Sequence, residues 1–304
     1  MSKFKIVAIL LLLISTNTIF SKSNNEVSTQ QKSAPFLTIT GSKDRVITIE
    51  KEPLTIVSLA PGVTEIIFAL GRGDRLLGRT DYCDFPEEVS KIPSVGTLFQ
   101  PNIEKIVELN PDIIIASTHF QQEVLNKLEE ASMTVLIVED QGSFEGVYTN
   151  INTIGQVLNA TSVANELNNA IKTKIDNVKI ALSTLNKPSV YYVVGFGEYG
   201  DYTAGGDTFI SDIIELAGGK NSAKESKGWS YSLEKIVESN PEIIICSKYF
   251  NTKEGIMAAA GYQNLPAIKD GNIFSIDNNL IDRQGPRIAE GLEAMAKIIH
   301  PEAF

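Results

Sequence analysis

"LEKIVESNPEIIICS", residues 233–247, repeats a sentence the chain has already written at 103–117 as "IEKIVELNPDIIIAS": eleven of fifteen positions match, all at an offset of 130 residues. Each copy reads as a short helix, an Asn suited to a left-handed cap (Asn110, Asn240), a Pro that stops the helix, and a triple-Ile strand with the apolar content of a central, doubly covered position. Ile103, Ile106 and Val107, and Leu233, Ile236 and Val237, are expected to share one packed face. Folding accounts for most of the matches but not for Glu104, Lys105, Glu234 and Lys235, which belong on the exposed start of each helix. One acid at the same place in each half makes a pseudo-twofold pair of charges, which suits a partner that is itself twofold symmetric.

Outward from the repeat, the chain alternates strand and helix. "TIVSLA" (55–60) is a buried strand and "TEIIFALG" (64–71) a short helix ending on Gly71. Strand 75–79, helix 102–109, strand "DIIIAS", helix 121–131 and strand "TVLIVE" follow. The second half repeats this with "SVYYVVG", "TFISDIIELAGG", helix 232–239, "EIIICS", "NIFSID" and a closing helix 286–299. Apolar strands interleaved with helices predict an α/β fold: two lobes with parallel central sheets flanked by helices. Stretches 144–158 and 161–186 read as helices, the second with apolar residues stepping by three or four from Ala164 to Leu185. It predicts one long, rigid inter-lobe helix.

The N-terminus stands apart. Lys3 and Lys5 precede the apolar run "IVAILLLLI" (6–14), too short to span a bilayer and suited to a secretory signal peptide. No Cys follows it to take a lipid anchor. The expected organisation is a signal peptide at 1–21, a flexible linker at 22–44, an N-terminal lobe at 45–158, the inter-lobe helix at 159–187 and a C-terminal lobe at 188–304. Export implies a periplasmic location. A formal charge of −10 argues against nucleic acid and anionic membrane as partners. The two cysteines permit one disulfide, but Cys83 and Cys246 fall in different halves, and two free thiols are the expected state.

Catalytic patterns are scarce, so the chain is not read as an enzyme, and no metal site or cofactor is expected. "GFGEYG" (195–200) imitates a dinucleotide fingerprint. That fingerprint needs a helix to open on its glycines, whereas "DYTAGG" intervenes here. A nucleotide-dependent α/β enzyme is therefore the weaker reading. In parallel lobes, ligands meet the loops at the carboxyl ends of strands. Those loops carry Tyr82, Phe99 and His119 in the first half, and Phe196, Tyr199, Trp229, Tyr249 and Arg283 in the second. Together they suggest an aromatic clamp around a bulky, flat ligand. Few cations besides Arg283 and Lys248 fall nearby, which disfavours a strongly anionic siderophore.

Over residues 55–117, and more faintly through "GGDTFISDIIELAGGKNSA" and the second "LEKIVESNPEIII", the sequence resembles the class III substrate-binding proteins of ABC importers. These bind cobalamin, ferric siderophores or haem. The resemblance implies two lobes joined by one long helix, with little hinge motion; a monomer is expected. It also implies that Glu104 and Glu234 dock into arginine pockets of a dimeric permease served by ATPase subunits. "TDYCDFP" looks closest to the cobalamin-binding branch: Tyr82 matches an aromatic that lies against the corrin, and Trp229 falls near another. Leu98, followed by Phe99, stands where that branch can carry a Trp. A corrinoid is the expected ligand, ahead of a ferric chelate, with haem possible through His119 or a tyrosine.

Overall fold

Strand and helix alternate throughout the residues described by a computed structural model, 34–304 less His119 and Tyr199. A hairpin of β1 (Leu37–Thr40) and β2 (Val46–Ile49) leads into β3 (Ile56–Ser58), α1 (Pro61–Ala69), β4 (Leu76–Arg79), α2 (Ile103–Leu109), β5 (Ile113–Ser117), α3 (Gln122–Glu130), β6 (Val135–Val138) and α4 (Phe144–Val157). After α5 (Thr161–Leu182) come β7 (Ser189–Gly195), β8 (Tyr202–Thr203), α6 (Phe209–Leu216), β9 (Lys220–Asn221), α7 (Leu233–Ser239) and β10 (Ile243–Ser247). The chain finishes through α8 (Thr252–Ala258), α9 (Pro266–Lys269), β11 (Ile273–Ile276), α10 (Asn279–Asp282) and α11 (Ile288–Ile299). The expected signal peptide lies outside the described residues. No described helix is long and apolar enough to cross a membrane.

Two sheets result. The first has strand order β4-β3-β5-β6 with every pair parallel. In the second, β9, β7, β10 and β11 stand in the same relative order, again parallel. The repetition heard in fifteen residues is thus the topology of a whole lobe written twice. Within these two sheets one strand departs from the all-parallel expectation: β8 lies antiparallel on β7.

The repeated segments fold alike down to their caps. Asn102 and Ser232 each accept a hydrogen bond from the backbone N–H three residues on, that of Lys105 and Lys235. Asn110 (φ 44°, ψ 57°) and Asn240 (φ 42°, ψ 65°) both end the helix in the left-handed region. A further pairing explains the acid after each proline. Asp112 accepts from the N–H and hydroxyl of Thr55 while its own N–H donates to that hydroxyl. Glu242 makes the same reciprocal pair with Ser189. Each bond pins the first strand of a lobe to its neighbour. One expectation fails. Ile106 and Ile236 are fully buried, but Val107 and Val237 are 36% and 52% exposed. At 100° per residue, a two-turn helix aims only one position squarely at the core.

The lobes are not independently packed. A single apolar cluster runs from Ile56, Ile113 and Leu136 of the first sheet, through Ile171, Ile175 and Val178 of α5, to Val190, Tyr192 and the α11 residues Leu292 and Met295. Phe144 and Phe209, opening α4 and α6, meet edge to face across the lobes at 5.0 Å. Close-packed interiors resist shear, so large changes in the angle between lobes require this core to open. Helix α5 is 22 residues, about 33 Å at 1.5 Å per residue, and ends four residues before the sequence pattern suggested. Other differences are local. α1 begins at Pro61, where proline is preorganised for a first turn. β1 falls within 22–44, expected to be linker, because its partner β2 buries Ile47 and Ile49. Cys83 and Cys246 are free and buried.

Candidate functional site

The carboxyl ends of both sheets open onto one cleft. In the first lobe, the strand order reverses between β3 and β5, and the loops leaving them diverge there, as at ligand crevices of open α/β sheets. A cavity of about 310 Å³ sits at that point. It is lined by Ala60–Val63 after β3, Ser117 at the end of β5, Val138 and Asp140 at the end of β6, and Leu98 and Phe99. Asp282, Arg283 and Gln284 close it from the second lobe. Asp140, Asp282 and Gln284 also line a neighbouring cavity of about 510 Å³ that reaches Asp207, Phe209 and Trp229. A third, of about 280 Å³, continues past Trp229 to Val193, Ser247 and Asn278 at the strand ends of the second sheet.

A charged seam forms one wall. Glu65, on α1, is 3% exposed, yet it is held by two arginines of the other lobe. Arg287 grips it with two bonds, Nε to Oε2 at 2.9 Å and Nη2 to Oε1 at 2.6 Å. Arg283 donates to Glu65 Oε1 at 3.0 Å, to Asp84 Oδ1 at 2.6 Å and to the Tyr82 carbonyl at 3.2 Å. Burial opposes the Arg283 charge, but Asp84 and Glu65 outweigh it and raise its pKa. The Arg287 guanidinium also stacks 3.8 Å from the Phe85 ring. Gly62 and Gly285 let the two backbones meet: a Cβ at Gly62 would come within 3.2 Å of the Gln284 carbonyl oxygen.

The remaining polar groups of the cleft are mostly acceptors. Asp140 takes a hydrogen bond from the Gln284 amide, whose own oxygen has no partner. Asp207 accepts from the Gly228 N–H. Asp282 is exposed but recessed between the lobes; that desolvation raises its pKa, against a hydrogen bond from Asn278. Three carboxylates therefore face a cleft whose one lining arginine already serves two acids.

The structure brings together only part of the expected clamp. Phe99 and Trp229 line the cleft from opposite lobes, 50% and 47% exposed. Arg283 lines it too, but spent on Glu65 and Asp84. Tyr82 is 51% exposed, with its carbonyl bound to Arg283. Phe196 is not in the cleft. It packs on Tyr262, and a Cβ at Gly255 would touch its ring. Tyr249 lines none of the three cavities; its hydroxyl donates to Asp277 and accepts from Asn279. Lys248 is paired with Asp277 at 2.8 Å. His119 and Tyr199 lie outside the described residues. The strand-end rule that selected the aromatics also reaches Asp140 after β6, Asp207 after β8, and Asp282 and Gln284 after β11, none of which the sequence reading named. No helix opens on the glycines of "GFGEYG": β8 intervenes, α6 opens only after Thr208, whose hydroxyl caps it, and Gly205 is needed for close approach to the Gly228 carbonyl.

Two lobes written from one plan, with a solvent-open cleft between their strand ends, form an architecture in which a ligand can be held between lobes. The chain belongs to the periplasmic binding protein family, whose pattern matches residues 56–280. It is similar to the uncharacterized ABC transporter substrate-binding lipoprotein YvrC of Bacillus subtilis, at 34% identity over 90% of this chain and 89% of that one. A cobalamin-binding protein of Halobacterium salinarum is 28% identical over 85% of this chain and 73% of its own length. Among solved structures, a possible iron-binding, periplasmic solute-binding protein of Staphylococcus epidermidis superposes with a TM-score of 0.74 at 30% identity, covering 82% of this chain and all of that one. The protein is thus a substrate-binding component of an ABC transporter, and its family serves transport.

Proposed function

We propose that this protein captures a corrinoid of the cobalamin type in the inter-lobe cleft, outside the cytoplasmic membrane, and delivers it as a monomer to a twofold permease without chemical turnover. The observation that carries the reading is the charge state of the cleft. Asp140, Asp207 and Asp282 face it, while Arg283 is already paired. Such a site repels catecholate and carboxylate chelates and the propionates of haem. It suits a large ring without net negative charge, edged with carboxamides whose N–H groups bond the carboxylates. Phe99 and Trp229 offer apolar faces to the ring. The relative in Halobacterium salinarum that is named for cobalamin supports this reading. Glu104 and Glu234, both exposed at the starts of α2 and α7, are the proposed permease contacts.

Trp229, the one tryptophan in the chain, reports directly. The protein is titrated with cyanocobalamin, haemin and a ferric catecholate, following Trp emission, with stoichiometry from calorimetry. One-to-one, submicromolar quenching by cyanocobalamin alone is expected. Tight binding of haemin or the catecholate instead would overturn the ligand assignment and leave the transport role standing.

A further inference from the structure

Residues 102–111 and 232–241 run through the same order of buried, half-buried and exposed positions except at Lys105, which is partly covered where Lys235 is exposed. Within this shared pattern stand two valines that the fold does not use. Val107 and Val237 point to solvent beside Ile106 and Ile236, which are completely buried. One exposed valine on a surface helix is unremarkable. The same exposed valine at the same position of both lobes, three residues after the same exposed acid, is a surface repeated with the lobe. Residues i, i+3 and i+4 share a helix face, so Glu104, Val107 and Glu108 form one contiguous patch, and Glu234, Val237 and Glu238 form its copy. All six are exposed.

We infer that each lobe docks through this three-residue patch, the valine entering an apolar socket that the two glutamates flank with charge. The occupant is the twofold pair of membrane subunits of the importer, one subunit per lobe, each offering a socket rimmed by basic side chains. Two observations select it. The lobes share strand order and cap geometry, so the patches are two presentations of one surface, which a symmetric partner reads with two identical sockets. Each patch also carries two carboxylates against one lysine, and Lys235 lies over the Tyr231 ring, 5.6 Å from its centroid, so the complementary charge is positive. The inference rests on the docking reading above and adds to it. Glutamates give orientation and salt dependence, while the buried valines supply the contact that charge alone does not.

The test uses the full protein and the twofold importer from the same genome, with its ATPase subunits, reconstituted in nanodiscs. Docking is measured by surface plasmon resonance at several salt concentrations, and ATPase stimulation in parallel. Three variants are compared with wild type: Val107→Ser with Val237→Ser, Glu104→Gln with Glu234→Gln, and the control Val163→Ser, an exposed valine of α5. Thermal unfolding checks that each remains folded. The double valine variant is expected to weaken docking about tenfold with its salt dependence unchanged. The double glutamate variant weakens docking and flattens that dependence, and the control does neither. If the glutamate pair abolishes docking while the valine pair binds like wild type, the socket is overturned and the docking reading survives. If neither pair alters binding, both are overturned.

Discussion

Arg283, on the loop after α10, donates from Nη1 to Oε1 of Glu65 on α1 at 3.0 Å, joining the lobes across a separation of 218 residues. Arg287 completes the hold with a two-bond fork. Removing one member of a buried ion pair strands the other without water. Glu65→Ala is therefore expected to cost about 3 kcal/mol, in the range for broken buried pairs. Urea unfolding measures this directly, and a loss below roughly 1 kcal/mol would put the seam's contribution at the level of an exposed pair.

Asp112 predicts acid sensitivity. Burial would raise its pKa, but Lys51 and the hydrogen bonds from Leu54 and Thr55 more than offset that and hold it at about 2, below the ordinary 3.8. A carboxyl depressed in the folded state stabilises fully above its unfolded pKa and loses that contribution as pH falls through the folded one. Compared with Asp112→Asn, the wild type should hold an advantage at pH 7 that shrinks between pH 4 and 2. The advantage is on the order of 1 kcal/mol after solvent screening, since Lys51 is largely exposed. Unfolding curves at pH 7, 4 and 2.5 check it; an advantage that grows on acidification would contradict the assignment.

The aromatics separate cleft from scaffold. Phe99→Ala and Trp229→Ala should each weaken cyanocobalamin binding by about tenfold, the scale of a lost stacking surface, with little change in stability. Phe250→Ala should change neither, because that ring is 99% exposed. Phe196→Ala should lower stability and leave affinity intact. Calorimetry is the measurement, and equal affinity losses at Phe99 and Phe196 would refute this division.

The thiols should be silent in the folded protein. Cys83 is 3% exposed and Cys246 completely buried, with burial also raising the Cys246 pKa. Ellman's reagent is expected to count two thiols in guanidinium and none under native conditions. Rapid native labelling of Cys246 would mean that β10 opens locally.

The sequence alone determined the plan of the lobes, because its signals are local. The triple isoleucines, the Asn–Pro helix ends and the spacing of apolar residues are decided by neighbours a few positions away, and β5, β10, α2, α7 and the start of α5 followed from them. It also offered Phe99 and Trp229, since the ends of strands can be read from the strands. The tertiary structure decided what depends on groups distant in the chain. Nothing near Glu65 or Arg283 announces that they meet, and only their meeting removes the arginine's charge from the cleft. Phe196 and Tyr249 obey the same strand-end rule as Trp229, yet Tyr262 and Asp277 claim them. The repeat showed the same split. Matching letters named Glu104 and Glu234, but whether Val107 and Val237 face the core or the solvent was set by how two short helices roll against their sheets.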